Sequence, residues 1–338
     1  MPDVLRGVAI LAMLIAHAAL FLPNMPWAVD FVRGNINDVA SPLFALVMGM
    51  SAQLVWNRRA GVGRTILQQS VRGVILVVLG LWMMTWGSWV AIILQPLGLL
   101  LIVGVPLLLC GSRVLTTLLV VLAVLSQPVL TLARDYAAII YGQGPVVRAL
   151  AEWTVLGTHY RLLNLLLFFL LGALLLRAGL HRGRMLWVMA IVAVPAYLAK
   201  PIGERLGAGP VQSGDYLDTL HDLGLVCVVY VIVILAATAA RGSAQRFWAA
   251  VFVPFCAWGQ VALSMYLLHV AIIAGWMRLY GLPDRNILIG WMLVVPLVCL
   301  IGWAWWRFVG PGPVEWLMGL VIGRRRRWRP EGRVPAQV

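Results

Sequence analysis

The chain has 338 residues, 62% of them hydrophobic and 11% charged, with a mean hydropathy of +0.93. Its formal net charge of +14 comes from 25 Arg and one Lys, Lys200, against 12 acidic residues. Soluble domains carry about a quarter charged residues, so this composition excludes a soluble cytosolic enzyme, a disordered protein and a nucleic-acid module, and leaves an all-α polytopic integral membrane protein.

A membrane-spanning helix needs ~20 mainly apolar residues. About ten such segments follow in order: 4–22, 40–57, 68–87, 93–111, 114–132, 161–180, 185–199, 217–240, 258–278 and 287–308. The first run leads into a polar loop without a small-residue cleavage pattern, so it reads as a retained span rather than a signal peptide. Segments 243–256 and 312–323 read as helices lying along the interface. Stretches 23–39, 133–160 and 200–216 read as three long loops on one side, the kind that cover a site. Cys110, Cys227, Cys256 and Cys299 lie in or beside apolar runs without C-x-x-C spacing, and read as small buried hydrophobes. Residues 1–323 are expected to form one membrane domain, and 324–338, with the run RRRRWR, a basic cytoplasmic tail that meets anionic lipid.

Charge sets the orientation. With the N-terminus in the cytoplasm, 17 basic residues fall on the inner side and 8 on the outer, while nine acids fall outside. Both termini are therefore expected in the cytoplasm, as the positive-inside rule requires. The predicted location is the cell inner (plasma) membrane, crossed many times.

Ionisable residues inside a span point to function by default. The first span holds Arg6 and His17. Eleven steps of about 100° bring them to one helix face, ~16 Å apart along the axis. That spacing suits a long anionic ligand entering at the cytoplasmic mouth with its reactive end deep in the bilayer. The bland alternative is that Arg6 snorkels to headgroups and His17 ends the helix. Asp38, at the outer start of the second span, reads equally as an N-cap and as a carboxylate within reach of the outer end of the first span. Asp218 lies three residues before His221 and would share its helical face. Ser264, Tyr266 and His269 are polar at mid-membrane depth, where a hydroxyl usually bonds a neighbouring carbonyl. No metal-ligand spacing such as H-E-x-x-H occurs, so no metal is expected.

Arg6-x10-His17 resembles the first-helix Arg-x10-His motif of the acyltransferase-3-like membrane proteins that O-acetylate bacterial surface glycans. Asp38-x3-Pro42-x-Phe44-x3-Met48-Gly49-x-Ser51 is similar to the pattern of the heparan-α-glucosaminide N-acetyltransferase family. Gly259-Gln260-x3-Ser264-x-Tyr266-Leu-x-His269 and Gly312-Pro313-Val-Glu315-Trp316 resemble the late helix and tail of related bacterial membrane proteins. The resemblance covers the first ~60 and last ~80 residues; the middle is alike in hydropathy alone. It implies transfer of an acetyl or other short acyl group from cytoplasmic acyl-CoA, the co-substrate, to a hydroxyl or amine of an extracytoplasmic glycan or glycolipid. One position departs from the pattern: the heparan family's histidine ten residues before the motif aspartate is Ala28 here. His17 is then the residue to carry the chemistry, because acyl transfer needs a base near neutrality in a water-excluding site, with Asp38 as its partner. Arg6, Arg58 and Arg59 are expected to meet the phosphates of CoA, since arginine binds phosphate bidentately. His221, Asp218, Ser264, Tyr266 and His269 are expected to line the acceptor site. Two other readings stay open on the sequence: a transporter or flippase, and a non-catalytic partner in a cell-envelope complex.

Overall fold

A computed structural model describes residues 1–58, 61–207, 209, 211–238 and 242–323. Arg59 and the basic tail 324–338 lie outside the described residues. No strand occurs among the described residues; fifteen α-helices do. They are α1 (Pro2–His17), α2 (Trp27–Asn57), α3 (Val62–Met84), α4 (Leu94–Leu107), α5 (Ser112–Asp135), α6 (Ala137–Gly142), α7 (Pro145–Ala151), α8 (Leu162–Ala178), α9 (Arg184–Arg205), α10 (Tyr216–Ala237), α11 (Ser243–Gln260), α12 (Ala262–Tyr280), α13 (Leu288–Val294), α14 (Pro296–Phe308) and α15 (Pro313–Val321).

Each of the ten expected spans is found as helix, the last of them as two, α13 and α14. Eight are long and apolar enough to cross a membrane; α4 and α8, with 14 and 17 residues, are shorter. The chain is a multi-pass membrane protein. Two expectations about loops are corrected. Residues 27–39 are not loop but the first turns of α2, where an Asp30–Arg33 ion pair of 2.6 Å supports a helix too polar to register as a span. Stretch 133–160 likewise holds α6, α7 and one π-helical turn at Glu152–Leu156.

The helices form two compact units. Of the described residues, unit 1 comprises those of 1–44, 81–92 and 232–323, and unit 2 those of 45–80 and 93–231. Helices α2, α3 and α10 contribute to both. In a bilayer the hydrophobic effect gives helices no reason to associate, so close packing depends on small residues. Unit 1 illustrates this at α1 and α11. A Cβ on Gly7 would fall 2.0 Å from the Phe255 carbonyl oxygen, and one on Gly259 would fall 1.9 Å from that of Asp3. The two backbones thus touch directly, running antiparallel. Segment 243–256, expected as a helix along the interface, is a helix and part of this tightly packed pair.

Unit 2 repeats the device. Gly49 of α2 and Gly172 of α8 each lie against the other helix's backbone, as do Gly73 of α3 and Gly98 of α4. The glycine of the Met48-Gly49 motif therefore has a packing reason. Arg177, near the end of α8, donates to Gln53 Oε1 at 2.8 Å and to the carbonyls of Leu108 and Cys110 at 2.9 and 2.8 Å. These carbonyls end α4 and have no helical partner. Prolines free further carbonyls, because a proline at position i cannot bond the carbonyl at i−4. Pro128 releases Val124, whose oxygen accepts from the Tyr216 hydroxyl. Pro201 releases Tyr197, whose oxygen accepts from His221 Nδ1 at 3.0 Å.

Candidate active site

Unit 1 holds the predicted Arg6–His17 face. At one end of α1, Arg6 donates to Asp3 Oδ1 at 2.9 Å and to the Gly259 carbonyl at 3.1 Å. Gly259 closes α11, so the guanidinium sits at a helix C-terminus, where a cation is favoured. At the other end, His17 Nδ1 lies 2.9 Å from His269 Nε2. The two rings are nearly parallel, 14° apart with centroids at 5.2 Å. His269 is fully buried, and its Nδ1 lies 3.2 Å from the Met265 carbonyl oxygen.

This order of contacts fixes the protons. A carbonyl can only accept, so His269 Nδ1 carries a hydrogen. In a neutral ring, His269 Nε2 is then the acceptor. His17 Nδ1 must donate to it, and the lone pair of neutral His17 resides on Nε2. The pair thus presents one defined basic nitrogen. The Trp89 indole N–H donates to the His17 carbonyl at 3.1 Å. Phe21, one turn beyond His17, meets Trp89 and Trp276 edge-on at 5.2 and 5.0 Å.

The late-helix motif is held from below. Glu315 of α15 accepts from the backbone N–H groups of Leu263 and Ser264 at 2.7 and 3.1 Å. It also accepts from the Ser264 hydroxyl, which itself accepts from Val314 N–H at 3.2 Å. A carboxylate from another helix therefore caps the N-terminus of α12, where free N–H groups favour negative charge. Gly312 lies against this cluster: a Cβ there would fall 2.1 Å from Glu315 Oε2. Tyr266 is buried with its ring edge-on to His269 at 5.1 Å. Of the five residues expected at the acceptor, unit 1 holds three: Ser264 is bonded into the cap, His269 meets His17, and Tyr266 meets His269.

The described ring partner of His17 is His269. Asp38, expected as that partner, accepts from Asn37 Nδ2 at 3.2 Å. Its reading as an N-cap is overturned, because α2 starts at Trp27 and Asp38 is three turns inside it.

Unit 2 holds the remaining expected residues. His221 is bonded to Tyr197 and its ring tilts against that tyrosine at 4.6 Å. Asp218 pairs with Lys200 at 2.9 Å and accepts from Gly214 N–H at 2.9 Å. Arg58 is exposed in the turn after α2. Near Asp218, Arg161 is buried and donates to the carbonyls of Gly157 and Thr158. Among the described residues no group of three or more His, Cys, Asp or Glu side chains is placed to hold a metal ion.

Sequence reasoning missed Glu315, Trp89 and Tyr197. The only available signal for Glu315 was its place in Gly312-Pro313-Val-Glu315; the other two act through a carbonyl or an indole N–H, which leave no pattern.

Two family models match. Residues 2–143 match heparan-alpha-glucosaminide N-acetyltransferase, catalytic, and residues 175–323 match a protein of unknown function, DUF418. The two matches lie one after the other and are consistent with the heparan-alpha-glucosaminide N-acetyltransferase-like membrane family. No curated protein matches the chain.

Proposed function

We propose that this chain, aligned by those matches with the heparan-alpha-glucosaminide N-acetyltransferase-like membrane family, is an acyl-CoA-dependent membrane acetyltransferase that modifies an extracytoplasmic glycan or glycolipid. The observation that carries the reading is the bonded order Met265 carbonyl, His269, His17. It supplies a base of defined tautomer on the helix where the catalytic-domain match begins.

In this reading acetyl-CoA enters from the cytoplasm at the Arg6 end of α1. Arg6 is its phosphate contact there, exchanging its bonds to Asp3 and Gly259 for the ligand. The thioester lies along α1 towards His17, ~16 Å further on. The acceptor arrives from the opposite side. His17 Nε2 takes the proton from its hydroxyl or ammonium-derived amine as the oxygen or nitrogen attacks the thioester carbonyl. The carbon–sulfur bond breaks, and the thiolate leaves as CoA after taking that proton from His17. His269 holds the ring and disperses the transient charge, as a second group does in a nucleophile–base–orienter arrangement. Positioning and base catalysis of this kind contribute about 10²–10⁴-fold.

The test is acetyl-CoA-dependent CoA release by the purified protein with membrane glycans added. His17→Ala should abolish it in folded protein. His269→Gln, whose amide oxygen can still accept from His17 Nδ1, should keep far more activity than His269→Leu. Wild-type rates in His17→Ala would overturn the assignment.

A further inference from the structure

Unit 1 contains a cavity of about 500 Å³ between the end of α12 and the loop to α13. That is the size of a small-molecule site. Trp276 and Tyr280 form one wall, one turn apart with ring centroids at 4.7 Å. The loop contributes Asp284 and Arg285. Both are exposed, and neither has an ion-pair partner among the described residues. The Trp276 indole N–H is buried without a hydrogen-bond partner.

The loop is preformed. Gly281, with φ of 74°, turns the chain out of α12 in a conformation that favours glycine. Asn286 bonds both backbone groups of Asn24, at 2.9 and 3.0 Å, and Ile287 N–H donates to the Phe21 carbonyl at 2.7 Å. The free side chains therefore project from a fixed frame.

The chemistry selects a ligand class. One acid and one base cancel, so the site cannot hold the several phosphates of CoA. An acyl chain would leave Asp284 and Arg285 unused. A pyranose ring uses both: its C–H face rests on an aromatic wall, and its hydroxyls donate to a carboxylate and accept from a guanidinium. Trp276 is seven residues beyond His269, two turns along the same helix face and ~10 Å further on. Trp276 also touches Phe21, one turn beyond His17.

We infer that this cavity is a pyranoside subsite, which seats a sugar of the acceptor one ring away from the His17–His269 pair. The inference rests on the acyl-transfer reading for its purpose, but not for its detection. Saturation-transfer NMR with methyl glucosides and methyl glucosaminides would be run on the full chain in nanodiscs, because common detergents are themselves glycosides. Wild type should give transfer to ring protons. Trp276→Phe, which keeps the packing on Phe21, and the surface changes Tyr280→Leu and Asp284→Asn should each weaken binding about tenfold, the loss of roughly one hydrogen bond or contact. The same samples are titrated with acetyl-CoA by thermal shift, which the three variants should leave unchanged. Equal transfer in wild type and variants overturns the inference, as does transfer from nanodisc lipid with none to any pyranoside. Pyranoside binding without an acetyl-CoA shift would keep the subsite and overturn the acyl-transfer reading instead.

Discussion

Removing the hydrogen-bond donor of His221 should destabilise the protein, and removing Pro201 should rescue it. Pro201 lacks the N–H that would bond the Tyr197 carbonyl within α9. His221 supplies the missing hydrogen from α10, at 3.0 Å. Gly224, one turn on, has room for no Cβ, since one would fall 2.3 Å from Tyr197 N, so the two helices are fixed at this distance. His221→Phe keeps an aromatic ring beside Tyr197 but deletes the donor, leaving a buried carbonyl unmet at a cost of ~1–3 kcal/mol. In Pro201→Ala the new backbone N–H can serve the carbonyl itself. His221→Phe should then cost little, giving a coupling of roughly 1–2 kcal/mol in a double-mutant cycle. Reversible unfolding in mild denaturant would measure all four proteins. Effects that add within ~0.5 kcal/mol would mean that His221 does not serve the carbonyl freed by Pro201. Loss of acetyl transfer in His221→Phe at undiminished stability would return His221 to the acceptor site.

Three further outcomes follow from the same packing. Glu315→Ala should lower stability by about 2–4 kcal/mol, since it removes charge-assisted bonds to two backbone donors and the Ser264 hydroxyl; thermal unfolding checks it, and Glu315→Gln should lose about half as much. Gly7→Val should force α1 off α11, because its Cβ meets the Phe255 backbone rather than a flexible side chain; yield of folded protein and acetyl-CoA binding should fall together, whereas Gly34→Ala, with open space around it, should do neither. Tyr216→Phe should behave like His221→Phe, with Pro128→Ala as its rescue, read in the same unfolding assay.

What the sequence could disclose follows from the range of each interaction. Span positions depend on local hydropathy, so every expected span is found as helix. The Arg6–His17 face depends on helical repeat alone and was likewise legible. Polar helix was not: residues 27–39 carry Asp30, Arg33 and Asn35, and a reading tuned to membrane hydropathy takes them for loop. The site's decisive contact joins residues 252 apart in sequence, and no periodicity links them. Asp38 reads as a partner of His17 because it starts the second span beside the outer end of the first; the described ring partner is His269, because α1 and α12 both start from the Gly259 end and run side by side. His221 and Asp218 show the converse. They share a helix face, but the proline-freed carbonyl of Tyr197 takes one and Lys200 takes the other.

In the proposed reaction an acetyl group crosses from a cytoplasmic thioester to an outer acceptor through His17. Sealed vesicles carrying the protein, loaded with radiolabelled acetyl-CoA on the cytoplasmic face only, test it directly. Label should appear on glycan or glycolipid of the opposite face, at least a hundredfold above a His17→Ala control, in keeping with the ~10²–10⁴-fold contribution of a positioned base. Label equal in wild type and His17→Ala, or movement of unmodified glycolipid without acetyl-CoA, would contradict it.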